Sequence, residues 1–548
     1  METIAAGVHA RQQSVADTNQ SDNRGSPNDL SGAGLSALIG QSIKEAFFAS
    51  DDSPPNAGLT VAEELAEHVV YEGLSLDAVA EIEANSEKYP GVRLLRSFRR
   101  EYPAGTLAAH LVGYLSATTE KELEANVGRE HEWVGRAGIE RQYEPYLRGR
   151  PGVISDQIDL HGKVVASNTL HETAAGLDLI STLEPNLQRV AEELIDQGIA
   201  RRIAGNTKQQ NDGAGGALVA IDIYTGAILA AASAPRFDPN AFVQGSSQPI
   251  QQWRGDAARP LFDRTLQMAL PPGSVFKVIS ASALLEAGVD PLAPVDCEGY
   301  LHQPDALRCA IFRRFGIGHG RVNLSAALAR SCNVYFFHHA EQIGTQPLVE
   351  CGRRFGLGQI SGIDLPGEVP GSFPAVATPA DKTIASVGDN GGKQIADDPR
   401  MISIGQGPVT TTPLQVARIF AAIANGGYLV RPHVVQKVAS SAASEENNHL
   451  SGNGPRYRFD CAEQFGVQNE APVPIPGLNL QILAVIREGL RQAVANEDGT
   501  AHATVDLEHV AIAGKTGTAE VGAHRAEHAW FAGYAPADQP QIAFVVVL

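Results

Sequence analysis

The sequence has few cysteines and no long hydrophobic run. Only five of its 548 residues are cysteine, which excludes a disulfide-built scaffold of the kind found in short secreted domains. No window approaches eighteen uncharged apolar residues, because the best candidate, residues 214–234, carries Asp222 in its middle. We therefore expect two buried strands there in place of a transmembrane helix. No basic segment precedes an apolar one at the N-terminus, so we expect no signal peptide.

Positive charge is also in short supply. The chain carries 43 Lys and Arg against 62 Asp and Glu, a formal net charge of -19. This balance argues against a nucleic-acid partner, because binding to phosphates requires a basic face. The hydrophobic content of 43% and the charged content of 19% are those of a globular protein. The length predicts two or three domains with a substantial core.

Composition divides the chain into three parts. Residues 1–52 are rich in Ser, Asn, Gly, Asp and Gln, which predicts disorder. Residues 53–205 have charged helical patterns and no catalytic cluster, which favours a binding or pedestal domain. A polar linker begins at 206, and the part 206–548 combines apolar helices with strands near both its ends. Helices packed on an antiparallel sheet give an α+β fold for this part.

The segment Pro271-Pro272-Gly273-Ser274-Val275-Phe276-Lys277 is the centre of this last part. It predicts a turn followed by a buried helix, with apolar residues on nearly every face up to Gly288. Ser274 and Lys277 are three residues apart on one helix face. A desolvated lysine has a lowered pKa and can activate a serine hydroxyl. The alternative for this segment alone is a capping serine with a lysine that extends to water.

Two more motifs follow in the chain. They are Ser331-Cys332-Asn333 in a predicted helix and Lys515-Thr516-Gly517 in a predicted strand. Each motif is weak evidence by itself. Together, in this order and in these contexts, the three resemble the signature of penicillin-binding proteins and serine β-lactamases.

The resemblance extends from about residue 95 to the C-terminus. Strings such as REYPAGTLAAHLVGYL, VGRAGIERQYEPYLRG, PPGSVFKVISA, SIGQGPVTTTPLQVARIFAAIANGG and AIAGKTGTAE resemble class B penicillin-binding proteins, most closely the elongation type. This resemblance implies a transpeptidase domain with the penicillin-binding and serine β-lactamase-like fold, on an N-terminal pedestal. It also implies D,D-transpeptidation of peptidoglycan stem peptides in cell elongation, with no catalytic cofactor and with β-lactams as covalent inhibitors.

The resemblance assigns roles to the motif residues. Ser274 is the nucleophile, Lys277 its base, Ser331 a proton relay, and Asn333 holds Lys277 and the substrate amide. For Lys277 to be neutral near pH 7 its pKa must fall, and both burial and the charge of Lys515 act in that direction. The backbone N–H groups of Ser274 and Thr518 are expected to form the oxyanion hole. Three residues are expected to bind the substrate carboxylate: Lys515, Thr516 and Thr518. We expect Gly517 to leave room for the substrate backbone.

The same resemblance implies where the protein acts and with which partners. It predicts the periplasmic face of the inner membrane, a partner glycosyltransferase and morphogenetic proteins. The transmembrane helix that opens most members is not visible here, and the chain stops within its last apolar strand. We therefore expect the sequence to be incomplete at one or both ends.

Three other functions share parts of this signature. A serine β-lactamase needs a base for deacylation, but no Glu-x-x-Leu-Asn string lies between Asn333 and Lys515. A D,D-carboxypeptidase fits the chemistry but fits the flanking strings less well. A catalytically weak β-lactam-binding scaffold or sensor on the same fold is the remaining alternative, because a fold does not determine a function.

A possible metal site lies between the first two motifs. Cys297, Cys309, His319 and Cys332 form a Cys₃His set, which suits a structural zinc ion in tetrahedral coordination. Some relatives of the elongation type resemble this chain in placing a metal here. The alternatives are a Cys297–Cys309 disulfide and unpaired buried thiols. Other aromatic and histidine side chains, at 335–339, 528 and 530, are expected to pack or to line the cleft.

Overall fold

A computed structural model describes residues 2–8, 68–89, 92–124, 132–159, 164–205, 215–375, 398–439, 470–505, 507, 509–519 and 528–548. These residues form two compact units, Met1–Glu101 and Tyr102–Leu548. No helix in these ranges is both long enough and apolar enough to span a membrane.

The strands, in chain order, are β1 Glu2–Val8, β2 His68–Leu74, β3 Arg93–Phe98, β4 Leu115–Ala117, β5 Trp133–Gly135, β6 Val153–Ile158, β7 Val164–His171, β8 Asp178–Ser181, β9 Gly216–Asp222, β10 Ile228–Ala234, β11 Val295–Cys297, β12 Gly320–Val322, β13 Tyr428–Leu429, β14 Val435–Ala439, β15 Val473–Pro474, β16 Ala513–Ala519, β17 His528–Ala535 and β18 Ile542–Val547.

The α-helices are α1 Leu76–Ala84, α2 Ala109–Val112, α3 Glu120–Glu124, α4 Gly138–Gln142, α5 Glu144–Leu147, α6 Pro185–Gly205, α7 Asn240–Val243, α8 Ser247–Gly255, α9 Arg264–Gln267, α10 Lys277–Glu286, α11 Ala310–Phe315, α12 Leu324–Ala329, α13 Asn333–Ile343, α14 Thr345–Arg354, α15 Pro399–Ser403, α16 Pro413–Asn425, α17 Leu480–Ala495 and α18 His502–Val505. Short 3₁₀ helices lie at Ser86–Lys88 and Gly273–Phe276.

The first unit is a small antiparallel sheet with the strand order β2-β1-β3. Helix α1 supplies Ala78, Val79 and Ile82 to its core. Glu2–Val8, within the range 1–52 for which we expected disorder, forms a strand that pairs with both other strands. Thr3, Ile4 and Val8 are β-branched, and residues of this type favour strands when neighbouring strands supply hydrogen bonds. The rest of that range, 9–52, lies outside the described residues.

The second unit is built on a five-stranded antiparallel sheet with the order β10-β9-β18-β17-β16. This confirms the α+β class and the two strands expected within residues 214–234. Helix α6 covers one face through Ala191 and Ile195. Helices α10, α16 and α17 belong to the larger apolar core. Because helices cover the sheet on both faces, β9 is apolar almost throughout instead of alternating.

The predicted domain boundary at residue 206 differs from the boundary between the two compact units. Residues 102–205 belong to the same unit as the rest of the chain to Leu548. Strand β8 pairs with β14, and Tyr143 donates a hydrogen bond to Asp364 at 2.7 Å. Asp364 also accepts hydrogen bonds from the backbone of Val434 and Val435, at 2.7 and 3.0 Å. Amino-acid composition predicts the polar linker at residue 206 but cannot predict contacts between residues that are far apart in sequence.

Helix α10 carries the first motif through the centre of the core. Val278, Ile279 and Ala281 are completely buried, which confirms the buried helix predicted from the sequence. The α-helix begins at Lys277 and not at Val275, because Gly273–Phe276 adopts the tighter 3₁₀ form. Gly288 follows the helix with a positive φ of 86°, as a helix C-terminus favours.

Candidate active site

Ser274 lies in the 3₁₀ turn that precedes α10, close to the edge strand β16. Gly273 has a φ of 56°, and a Cβ added to it would lie 2.6 Å from the Thr518 carbonyl oxygen. The Gly273 N–H donates to the Gly405 carbonyl at 3.0 Å. Only glycine permits this approach. The half-buried Ser274 is thereby fixed against the strand that carries the third motif.

Lys277 is fully buried and bonds to the second motif. Its Nζ donates to Asn333 Oδ1 at 2.7 Å, to the Ser331 carbonyl at 2.9 Å and to Ser331 Oγ at 3.3 Å. The ring centroid of Phe336 lies 5.3 Å from Nζ, within the range of a cation–π contact. Among the described residues, no hydrogen bond joins Nζ to Ser274, although the sequence led us to expect contact between these side chains. The structure brings the first two motifs together through Lys277.

Burial controls the charge of Lys277. Burial lowers the pKa of the Lys277 ammonium group to about 8. The nearby thiols of Cys309, Cys332 and Cys297 raise this pKa, but their effect is the smaller one. With such a pKa about a tenth of the lysine is neutral at pH 7, far more than at the unperturbed pKa. Its three hydrogen-bond acceptors are a carbonyl, an amide oxygen and a hydroxyl, and no carboxylate of the described residues pairs with it.

Ser331 has an unusual backbone conformation. Its φ is 55°, in the left-handed region that a residue with a Cβ rarely occupies. Lys277 bonds to both its carbonyl and its hydroxyl. Asn333 begins α13 and donates through Nδ2 to the Arg308 carbonyl at 3.1 Å. The strained turn places Ser331 Oγ and Asn333 Oδ1 on the same ammonium group.

The third motif lies on β16, the edge strand of the main sheet. Lys515 is fully buried, and its Nζ donates to the Thr516 carbonyl at 2.9 Å. Burial, and then the charge of Lys277, holds the pKa of Lys515 well below its usual range. Within the described residues no carboxylate pairs with either lysine, so the site keeps two mutually repelling amines in its interior.

Gly517 lacks a side chain at a position where the fold itself leaves no room for one. A Cβ added there would lie 2.9 Å from the Pro272 carbonyl and 3.0 Å from Val275 Cγ1. The missing side chain therefore makes room for the serine turn, and the expected approach of a substrate backbone to Gly517 stays a prediction. The opposite neighbour, Trp530, is buried and packs 3.2 Å from the same position. This confirms packing as the role of Trp530.

The remaining aromatic and histidine candidates are packing residues. Tyr335, Phe336 and Phe337 are at most 2% exposed, as expected for one face of α13. His338 and His339 both contact Gln342. His528 is half-buried at the start of β17, and burial lowers its pKa.

The four candidate metal ligands lie within 4.8 Å of one another. The Cys297–Cys309 and Cys309–Cys332 sulfur atoms are 3.7 and 3.8 Å apart, and Cys297 Sγ is 3.5 Å from His319 Nδ1. The Cys297–Cys309 disulfide offered as an alternative is absent, because both are free cysteines whose sulfurs are far beyond bonding distance. Cys309 Sγ also accepts from the Asn333 N–H at 3.2 Å. The cluster therefore adjoins the second motif directly.

The thiols share protons within this cluster. Hydrogen bonds from Cys309 and Cys332 hold the pKa of Cys297 far below its usual range, whereas the pKa of Cys332 is raised by its two thiol neighbours. Burial acts to lower the pKa of His319, but the thiols outweigh it and raise it to about 9. Three thiols and one imidazole within reach of one another are suited to bind a metal cation, because the cation favours the deprotonated form of each ligand.

Sequence reasoning missed three contributors to the site. Thr500 Oγ1 accepts a hydrogen bond from Thr516 Oγ1 at 2.9 Å. The Arg308 carbonyl orients Asn333, and Gly405 holds the serine turn. Two of the three act through backbone groups, which leave no signal in a sequence. Thr500 lies in a loop outside all three motifs.

Two protein-family models and several known proteins are similar to this chain. Residues 216–548 match the family model described as penicillin binding protein transpeptidase domain, and residues 38–180 match the penicillin-binding protein dimerisation domain. The peptidoglycan D,D-transpeptidase MrdA of Acinetobacter baumannii is 33% identical over 467 residues, which is 84% of this chain and 64% of that protein. The chain therefore spans less than two thirds of the length of this relative.

Two solved structures support the same likeness. A chain from a peptidoglycan synthase complex that coordinates polymerization and crosslinking has a TM-score of 0.67 at 26% identity, covering 100% of this chain and 83% of that chain. Penicillin-binding protein A of Mycobacterium tuberculosis, as its penicillin G acyl-enzyme complex, has a TM-score of 0.56 at 25% identity, covering 83% of this chain and 88% of that chain.

The buried Lys277 predicts a pH-dependent stability. Its pKa is about 8 in the folded protein and 10.5 when unperturbed, so between these values the unfolded chain binds more protons. The free energy of unfolding therefore rises with pH through this window, and the contribution is lost as the pH falls towards 8. Relative to a Lys277→Met variant, we expect the wild type to gain about 3 kcal/mol between pH 7 and pH 10.5, measured by chemical denaturation.

The matched control for this measurement is Lys437→Met, at an exposed position on β14. Its stability relative to the wild type should be nearly constant over the same range. A Lys277→Met difference that is equally constant would show that Lys277 is not desolvated in the folded protein.

Proposed function

The chain belongs to the penicillin-binding protein transpeptidase family, and on that premise we propose that it is a serine D,D-transpeptidase of peptidoglycan. The observation that carries the proposal is the buried Lys277, hydrogen-bonded to Ser331 and Asn333 and three residues from Ser274. A hydroxyl needs a neutral base to become a nucleophile, and a lysine whose pKa is about 8 can supply one.

Acylation proceeds in two proton transfers. Ser274 Oγ attacks the carbonyl carbon of the D-Ala-D-Ala peptide bond while its proton passes to Lys277. Ser331 Oγ, 3.3 Å from Lys277 Nζ, then relays a proton to the departing amine, and D-Ala leaves. The amine of a second stem peptide attacks the Ser274 ester in the reverse sense. A new peptide bond forms and the serine hydroxyl is regenerated.

The serine turn and β16 provide the oxyanion hole. β16 pairs only with β17 in the main sheet, and the Thr518 carbonyl faces Gly273 on its free side. In a strand, the N–H and C=O of one residue point to the same side. The Thr518 N–H is therefore directed to the same side as Ser274, where it and the Ser274 N–H stabilise the tetrahedral intermediate.

The substrate carboxylate binds along the same strand. Lys515 supplies a cation, and Thr516 and Thr518 supply hydroxyl groups at half-buried and exposed positions. The carboxylate in turn favours the protonated form of Lys515, which lowers the pKa of the neighbouring Lys277. Substrate binding thus promotes the neutral form of the base. Penicillins carry a comparable carboxylate and acylate Ser274 as substrate mimics.

We place this reaction in cell-wall elongation, on the periplasmic face of the inner membrane. The similarity to an MrdA transpeptidase and to a chain of a synthase complex supports this placement. A glycosyltransferase that polymerizes the glycan strand, together with morphogenetic proteins, are the partners proposed on the same grounds.

We also propose that the cysteine cluster holds a structural zinc ion. Four ligands at about 2.3 Å from a tetrahedral centre lie about 3.8 Å apart, and the sulfur atoms are 3.7 and 3.8 Å apart. Three thiolates and an imidazole form a closed site without an open position for catalysis. The ion would fix Cys309 and Cys332, and with them the start of α13 at Asn333.

Replacement of Ser274 tests the proposed activity. We expect Ser274→Ala to abolish covalent labelling by a fluorescent penicillin and turnover of a D-Ala-D-Ala peptide thioester, with the melting temperature nearly unchanged. Ser282→Ala, also on the buried α10 segment but with its hydroxyl bonded to the Val278 carbonyl, is the matched control and should still label. Labelling of Ser274→Ala at the wild-type rate would refute the nucleophile. A wild type that labels but turns over no peptide would favour the sensor.

Removal of single ligands tests the metal. We expect the purified wild type to contain about one zinc ion per chain, and Cys297→Ser and His319→Ala to contain far less and to melt at lower temperature. Cys351→Ser is the control, because this buried free cysteine lies outside the cluster. Metal-free wild-type protein whose melting temperature does not change with a chelator would end the proposal.

A further inference from the structure

The segment 306–340, which contains the second motif, is basic in an otherwise acidic chain. It carries five arginines and no aspartate or glutamate, although acidic residues outnumber basic ones 62 to 43 in the whole sequence. Three of these arginines are exposed: Arg313, Arg314 and Arg321. Arg330 pairs with Asp498, whereas no carboxylate of the described residues pairs with Arg314 or Arg321. Exposed positive charge beside the second motif favours an anionic ligand.

Apolar side chains accompany these charges on the short helix α11. Phe315 is 62% exposed, and Ile317, just beyond the helix, is 55% exposed. The guanidinium carbon of Arg314 lies 5.1 Å from the centroid of the Phe315 ring, so the charge and the ring belong to one surface. We define the α11 surface by four exposed residues: Arg313, Arg314, Phe315 and Ile317.

The α11 surface begins beside the residues of the second motif. Cys309 immediately precedes α11, and its Sγ accepts from the Asn333 N–H at 3.2 Å. The Arg308 carbonyl accepts from Asn333 Nδ2 at 3.1 Å. Helix α11 has six residues and is therefore about 9 Å long, a distance that about three residues of an extended peptide cover. A peptide whose reacting group lies at Ser331 can thus reach the arginines of α11.

Of the two peptides in the proposed reaction, the acceptor is the one that fits this surface. The terminal carboxylate of the acyl donor already has its partners on β16. The acceptor brings an amine to the Ser274 ester: the N–C bond forms, the ester bond breaks, and the amine proton passes through Ser331 and Lys277 to Ser274 Oγ. Because the acceptor is itself a stem peptide with a terminal carboxylate, it carries negative charge close to the reacting amine.

We propose that the α11 surface binds the acceptor stem peptide. Arg313 and Arg314 bind its carboxylate, because a guanidinium group matches a carboxylate with two parallel hydrogen bonds. Phe315 and Ile317 contact its aliphatic side chains. The inference rests on the proposed function and adds to it the substrate class of the second step, an anionic peptide with a free amine. Binding at this place raises the share of acyl-enzyme that is transferred to an amine instead of to water.

The test measures how the acyl-enzyme formed from a D-Ala-D-Ala peptide thioester partitions between an amine and water. The two acceptors are Nα-acetyl-lysyl-D-alanine and its C-terminal amide, which differ by one negative charge. We expect the wild type to give about fivefold more aminolysis product with the free carboxylate, the scale of an exposed ion pair. In the double variant Arg313→Gln, Arg314→Gln this preference should fall below about twofold, while acylation by a fluorescent penicillin stays at the wild-type rate.

Arg254→Gln is the matched control, because it removes an exposed arginine on α8, outside the segment 306–340. Its preference for the free carboxylate should equal that of the wild type. Three results would overturn the proposal: a wild type that does not distinguish the two acceptors, a double variant that keeps the wild-type preference, or a double variant that loses penicillin acylation to the same extent. Failure of the proposed function would be seen separately, as a wild type that forms no acyl-enzyme with the thioester.

Discussion

The site depends on one buried amine, Lys277, with which no carboxylate of the described residues pairs. Lys277 is fully buried, and its acceptors are neutral oxygens of Ser331 and Asn333. Burial without a carboxylate disfavours the charged ammonium of Lys277, and this effect outweighs the opposing effect of the nearby thiols on its pKa. A carboxylate at this position would stabilise the fold but would also keep the lysine protonated. Burial of Lys277 therefore lowers the stability of the fold at neutral pH and at the same time lowers the pKa of the amine.

Three supports hold the groups around this amine. The serine turn is pressed against β16 at Gly273 and Gly517, where neither glycine can accept a side chain. The cysteine cluster contacts Asn333 through Cys309. Arg330 connects the same region to the loop of Thr500 through its ion pair with Asp498. Each support fixes backbone and so limits the movement of the reacting groups, which is the main requirement of a preorganised site.

The sequence identified the residues of the candidate site more readily than the contacts between them. Ser274, Lys277, Ser331, Asn333 and Lys515 could be found because short motifs carry their residue types at fixed spacing. The α+β fold followed from apolar strands and a buried helix at 277–286. Contacts between distant backbone groups could not be predicted, since they do not depend on residue type. For this reason the close approach of Gly517 to the Pro272 carbonyl was not predicted.

The compact units of the structure join segments that the composition separates. Composition changes at the linker that begins at residue 206, but residues 102–205 form one compact unit with the rest of the chain. The pairing of β8 with β14 and the hydrogen bond from Tyr143 to Asp364 connect residues far apart in sequence. The strand at Glu2–Val8 was missed because its partners, β2 and β3, are also distant. Local sequence patterns predict local secondary structure. The pairing of strands that are far apart in sequence depends on tertiary contacts, which such patterns do not contain.

The pH dependence of Ser274 acylation by a penicillin tests the central claim, that Lys277 is the base because burial lowers its pKa. The second-order rate should rise with pH and level off above an apparent pKa of about 8. Lys277→Ala should acylate about 10²–10⁴-fold more slowly and lose this dependence. A wild-type rate that is constant from pH 6 to pH 10, or a Lys277→Ala variant that retains the wild-type profile, would contradict the account.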